Sequence, residues 1–404
     1  MKGRTMKKIF RCICVLVLSC ITYLCFLGQV KAQGYSEVIV EGGYKFLLYY
    51  NHAIQSHVVD GNDIYIQQAY NENEFDEFED YKTGGMENLI LISRCQYSAE
   101  YDAYKPVDHM VLRDVGHGQT LQVYRYNGKK YLMISCGGKE SSRKFLWWST
   151  QIGRVEYKPG AFLDNSEIKR LTYLNYSNKK TKRFGTTMRV DATLTPDKKM
   201  LVIWKMNEKG QSEYVGYKMS VVNKELDKAK NNTVNIKENK KLKKAAVFST
   251  KAHKFSVRSF QGFAVSNRTK GKYFIYISSG NERLSKERGI SIYKYEVKGS
   301  KIKYSKRIRL SAKDVWSSFP PDTEEENDAD VTASSKNGAE AGVEDGGYED
   351  DDYDDEGYYT EDEDDEVLVE IEDIKIVGSE LHFVLRNTGD ADQQLICTIS
   401  QNEF

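Results

Sequence analysis

Six histidines are spread through 404 residues, and no two stand at a metal-binding interval on a helix-period stretch. His52 and His57 are close, but on a strand their odd spacing sends them to opposite faces. The chain has no Gly-x-Ser-x-Gly elbow, no His-Glu-x-x-His pair and no phosphate-cradling glycine loop. No catalytic residue, metal or cofactor is therefore assigned from motifs. Prolines number only five. Of the cysteines, only Cys95, Cys136 and Cys397 lie beyond the amino-terminal segment. Three thiols allow at most one bridge and leave one over, so the fold is not built on disulfides. Helix periodicity is equally scarce. Only Val221 to Lys244, with lysine at nearly every other position, reads as helical or loop-like.

What remains is β pattern, and it repeats. Five segments each read as a half-polar strand, a tight turn and a stiff apolar strand. They contain Gln55 to Ile66, Gly116 to Ile134, Arg189 to Trp204, Gln261 to Ile277 and Ile371 to Leu385. Successive copies are roughly 65–73 residues apart, and the last interval is lengthened by an acidic insert. Such a repeat cannot bury its apolar face alone, so the copies must pack side by side around an axis. The expectation is an all-β propeller of five blades. Blade two would begin near Met110, blade three near Leu171, and blade five at Ile302 to Leu310. The strand Tyr35 to Val40 would close the ring against the last blade.

Around this core lie two segments of different composition. Lys7, Lys8 and Arg11 flank an apolar run from Ile13 to Leu27, and Val30-Lys-Ala32 supplies small residues at a cleavage position. Residues 1–32 thus read as a signal peptide, the run being short for a membrane span. Residues 33–319 would carry blades one to four and the start of blade five, and 367–404 the rest. Between them, 320–366 reads as disordered, since Asp, Glu, Gly and Tyr dominate and too little apolar surface is available for a core. From Asp322 to Glu366 there are 22 acidic residues and one lysine. Without that segment and the six basic residues up to Lys31, 52 basic residues face 37 acidic ones, about +15, although the whole chain is neutral. A cationic body of this kind favours polyanionic partners.

The candidate site follows from the repeat. Gln55, Gln119, Asp191 and Gln261 fall at similar positions before each tight turn, in the strand expected to line the channel. With His57, His117 and Arg189 nearby, they form a candidate mouth for a polar ligand or sugar. The competing reading is structural, in which these groups bind neighbouring backbone or channel water. Trp147 and Trp148, beside Arg143 and Lys144, form a second candidate surface, with one indole expected in the core and one exposed to a glycan or membrane interface.

Beyond these patterns, four stretches resemble the helveticin J family of large bacteriocins: Gly116-His117-Gly118-Gln119-Thr120, Trp148 to Tyr157, Ile168 to Asn175, and Arg189 to Asp197 with Leu201-Val-Ile203. The resemblance implies a secreted antibacterial protein that damages the envelope of related bacteria, and it brings no catalytic set. The acidic insert and the long sorting segment depart from it. The expected partner is a bacterial cell envelope, through an anionic polymer, glycan or lipid surface, with no nucleic acid and the protein a monomer. Two alternatives stand beside this: a glycan-active hydrolase or lyase using His117 and Asp191, and a non-toxic cell-surface binding protein. Charge supplies the first prediction. The acidic segment should compete with anionic surfaces for the basic body, through contacts that salt screens over about 8 Å at 0.15 M. Deleting Asp322 to Glu366 should tighten binding to anionic vesicles in a sedimentation assay, with a gain that shrinks as salt rises. Equal binding at low salt would reduce the segment to a solubilising linker.

Overall fold

The computed structural model describes residues 35–38, 41–49, 52–71, 88–140, 147–179, 182–254, 259–280, 282–284, 290–311, 367–387 and 394–400. The expected signal peptide, the acidic insert, Arg143 and Lys144 lie outside the described residues. Among those described, the strands form five sheets, each a blade. Their innermost strands are Ile54–Asp60, Leu121–Tyr126, Thr187–Leu194, Ser259–Val265 and Val367–Val377. Each touches the next, and the fifth touches the first, so the ring is closed. Every inner strand runs from the face where the chain enters the blade, here the upper face, down to a tight turn. In blade two that turn is Asn127-Gly128, both residues at positive φ (50° and 77°), the geometry a two-residue hairpin requires.

The second strand of each blade explains why the blades must pack. In Met200–Asn207, Met200, Val202 and Trp204 enter the core shared with blade four, while Leu201 and Ile203 enter the core shared with blade two. Blade one repeats this: Ile64 and Ile66 face blade five, and Tyr65 faces blade two. A strand with apolar residues on both pleats is stable only between two neighbours. The result is one apolar cluster at each of the five blade interfaces. The helical reading of Val221 to Lys244 holds in part. Helices Met219–Asp227 and Lys240–Ala245 flank the short strand Thr233–Asn235, and Val222, Leu226 and Leu242 seal the cluster between blades two and three.

Four expectations about strand allocation are corrected. Met110 belongs to Ala103–Arg113, the outer strand of blade one, and Leu171 to Lys169–Thr172, a strand of blade two. Lys301–Leu310 does not begin blade five. A hairpin joins it antiparallel to Ser291–Lys298, with Lys298 opposite Lys301, and makes it the fourth strand of blade four. Tyr35–Val38 does not close the last blade either; it pairs parallel with Arg307–Leu310 in blade four. The closing strand is Glu41–Tyr44, which pairs antiparallel with Gln394–Ser400 and completes blade five. Local hairpins set the pairing of Ala103–Arg113 and Lys301–Leu310, and partners far along the chain that of Tyr35–Val38 and Glu41–Tyr44; sequence repeats reveal neither. Cys95, Cys136 and Cys397 are buried, in blades one, two and five, and burial pushes the thiols of Cys95 and Cys136 up to about 12. No helix among the described residues is long and apolar enough to cross a membrane.

Interface packing sets the stability. Trp204 is 1% exposed and stacks on Phe260 across the interface of blades three and four, with ring centroids 3.9 Å apart. Trp204→Ala should cost about 3–5 kcal/mol in urea denaturation. A loss below about 1 kcal/mol would mean that the interface repacks around the cavity.

Candidate functional site

Polar residues gather where the inner strands begin, and irregular pairing puts them there. The inner strands of blades one and four carry a register shift at Gln55 and Gln261; blade five shifts across Glu372-Asp373, and blade three across Met188. A bulge turns a side chain away from the alternation of the strand, so amides and acids reach the axis in an otherwise apolar fold. Gln119 differs, for it lies in the entry loop just ahead of Leu121–Tyr126.

Three groups result. In the first, the Arg189 Nε donates to Gln119 Oε1 at 2.7 Å, and the Gln119 amide reaches Gln261 Oε1 at 3.5 Å. The guanidinium lies 4.0 Å from the Trp148 ring centroid and within 6 Å of those of Trp204 and Phe260, a cation held by aromatic faces. His117 meets Trp148 edge-on at 5.1 Å. Burial draws Arg189 down to about 10, despite the charges of Asp191 and Glu372, so it stays cationic at neutral pH. Burial, with Arg189 beside it, lowers His117 and keeps it neutral.

The second group joins blades five and one. Asp373 accepts from Ser56 Oγ and the His57 backbone amide, both at 2.9 Å, and from Lys375 Nζ at 2.7 Å. Burial alone would raise the Asp373 carboxyl, but Lys375 and His57 outweigh it and hold the group well below the usual carboxylate range. His57 Nδ1 lies 3.2 Å from the same carboxylate, at an angle that leaves both ring nitrogens without an aligned hydrogen bond, and burial lowers its pKa. In the third group, Asp191 Oδ1 accepts from Thr120 Oγ1 at 2.5 Å and from the Ala192 amide at 2.6 Å.

The structure therefore brings Gln119, Arg189, Gln261 and His117 together and places Gln55, His57 and Asp191 on the same axial ring. Apart from His117 and Gln261, which are partly buried, these residues are buried, as are their partners Ser56, Thr120, Asp373 and Lys375. Gln55 Oε1, Arg189 Nη2 and both polar atoms of the neighbouring Gln67 lack a protein partner. Trp148 is half-buried, against Arg189 and His117. Sequence reasoning missed Glu372-Asp373, although two adjacent acids inside Ile371 to Ile376 mark the fifth copy of the polar position. It also missed Trp204 and Phe260, whose apolar character reads as core. Among the described residues no group of three or more His, Cys, Asp or Glu side chains could hold a metal ion.

Away from the axis, the upper face carries an open groove of about 560 Å³ between blades two and three, lined by Lys139, Gln151, Arg170, Tyr173, Arg183 and Asn235 among others. The lower end of the axis holds a smaller cavity of about 170 Å³, lined from all five inner strands or their turns, including Val58, Gln122, Thr193, Ala264 and Lys375.

A family model described as bacteriocin helveticin-J matches residues 49–326, which takes in blades one to four. No curated protein matches the chain. Among solved structures, similarity extends to a tail fibre of a Staphylococcus aureus phage, with 14% identity and a TM-score of 0.46 over 91% of this chain and 53% of that one. An exo-beta-1,3-galactanase from Phanerochaete chrysosporium aligns with 7% identity and a TM-score of 0.41, over 90% of this chain and 64% of that one. A mannose phosphorylase from Leishmania mexicana aligns with 8% identity and a TM-score of 0.41, over 90% and 89%.

The buried acid at the centre gives a pH prediction. Burial raises Asp191 from 3.8 to about 7, more than its hydrogen bonds and Lys375 lower it. Between those values the folded protein binds more protons than the unfolded one, so this group's contribution to stability falls as pH rises. Asp191→Asn removes the titration while keeping an oxygen for Thr120 and Ala192. Relative to the parent, the variant should gain on the order of a few kcal/mol between about pH 4 and pH 7 in urea denaturation. A difference that does not change with pH would mean that Asp191 titrates alike in both states.

Proposed function

This chain belongs to the bacteriocin helveticin-J family, and from that premise we propose that it is a secreted antibacterial protein that binds the envelope of related bacteria and damages it. The observation that carries this reading is the family match across blades one to four. The sorting segment and the cationic body support it, since a body near +15 is drawn to an anionic wall. Binding is favoured over glycan hydrolysis by the state of the axial acids. Asp191 and Asp373 are each 2% exposed or less and bonded within the fold, whereas a glycosidase needs two carboxyl groups flanking a bound sugar. The mouth offers an amide, His117 and the edge of Trp148 instead.

The test uses the purified protein from residue 33 onward. Labelled protein is added to a panel of related bacteria and to their isolated walls, with growth, dye leakage and released reducing sugar followed together. Binding with growth arrest and leakage, and no sugar release, is the expected outcome. Sugar released in proportion to protein would establish the hydrolase reading. Binding without growth arrest would leave a non-toxic surface protein, and no binding to any strain would remove the envelope as partner.

A further inference from the structure

The groove between blades two and three differs in its charge from the lower axial cavity and from a groove on the far side of blade two. Lys139, Arg170 and Arg183 line the first of these, and among its described lining residues there is no carboxylate. The groove beside the helix Met219–Asp227, of about 360 Å³, holds cations as well. There, however, Glu156, Glu167 and Asp227 line the groove too, and Lys129 pairs with Glu156 at 2.9 Å and Arg154 with Asp227 at 2.5 Å, so most of its charge is cancelled within the protein. In the lower axial cavity Lys375 is likewise bonded to Asp373, and the volume is about a third as large.

Two more observations give the groove a chemistry beyond charge. The first is a wall of hydroxyl and amide groups, for Thr150, Thr172, Thr186, Thr187, Gln151 and Asn235 line the groove. Such groups donate and accept, which suits sugar hydroxyls, since each hydroxyl does both. Arg170 is held in place by its Nη1, which donates to the backbone carbonyls of Asn165 and Ile168 at 2.6 and 3.0 Å. The second is Tyr173, 56% exposed and in the left-handed region at φ 57°. A bulky residue held at positive φ is costly unless the surroundings or a function require it, and here it presents an aromatic ring at the groove.

We propose that this groove binds an anionic saccharide, with Lys139, Arg170 and Arg183 taking the carboxylate or phosphate, and Tyr173 packing against a sugar ring. Threonine and amide groups along the walls take the hydroxyls. The location on the upper face rests on the envelope reading only in that it makes a wall glycan the natural source of the ligand; the chemistry stands on the groove itself.

Calorimetric titration of the purified protein separates the terms. The probes are a sugar-phosphate wall polymer, oligogalacturonate, maltoheptaose as sugar without charge, and polyphosphate as charge without sugar. At least one anionic saccharide should bind about tenfold or more tighter than both controls. The double variant Lys139→Ala, Arg183→Ala should weaken it about tenfold and flatten its salt dependence. Tyr173→Gly should weaken it similarly with melting temperature held or raised, because glycine accepts the positive φ that tyrosine resists. The inference is overturned if maltoheptaose or polyphosphate binds as tightly as the anionic saccharides, if no probe binds, or if both variants bind as the parent does. Attachment to whole cells, measured on the same samples, isolates the two readings. Cell binding that survives without saccharide binding sinks the groove alone. Saccharide binding without attachment to cells leaves the groove standing and sinks the envelope reading.

Discussion

Every blade of this protein has a strand that is apolar on both faces, and no single sheet can bury both. Met200 to Trp204 shows the consequence, with alternate residues committed to opposite interfaces. Each blade is therefore stable only when sandwiched, and the arrangement must close on itself or leave one strand exposed. Closure falls to Glu41–Tyr44, which lends blade five its fourth strand from the other end of the chain. The ring is thus held by packing between neighbours and by one antiparallel pairing that joins its beginning to its end.

Closure has a second effect, at the centre. Five inner strands converging on one axis bring their entry residues within reach of each other, and bulges turn polar groups inward. Charges buried there must be paired or neutralised. Asp373 is paired with Lys375 and with groups from blade one, Arg189 is caged by aromatic rings from three strands, and Asp191 is raised toward neutrality. Lys375 shares a strand with Asp373 and Trp204 a blade with Arg189, while Ser56, Trp148, Phe260 and Thr120 bring contacts from neighbouring blades. The axial ring therefore couples the blades, through the bonds that Gln119, Asp191 and Gln261 make within the fold. Side chains remain accessible instead in the groove between blades two and three, which is lined by cations, threonines and amides.

Much of this was legible in the chain. The interval between copies, the tight turns and the stiff apolar strands define five blades, because period-two alternation and turn chemistry are local properties. The amide at Gln55 and at Gln261 marks equivalent bulges, and it could be found by aligning copies. The adjacent acids Glu372 and Asp373 carried the same signal, but charged residues on a strand ordinarily mark a solvated face, so their burial is invisible without the neighbouring blade. The allocation of strands was also beyond reach. Lys301–Leu310 and Tyr35–Val38 lie side by side in blade four, although about two thirds of the chain separates them.

By itself, then, the sequence determined the architecture and its repeat, the cationic body, and the family to which the chain belongs, since each depends on residue order and composition over short windows. Only the tertiary structure decided that the polar ring is mostly buried and that Arg189 sits among Trp148, Trp204 and Phe260. It alone gathered Lys139, Arg170, Tyr173 and Arg183 around one groove. The reason is that burial and charge pairing are properties of surfaces from different blades, and those surfaces exist as neighbours only after the ring has closed.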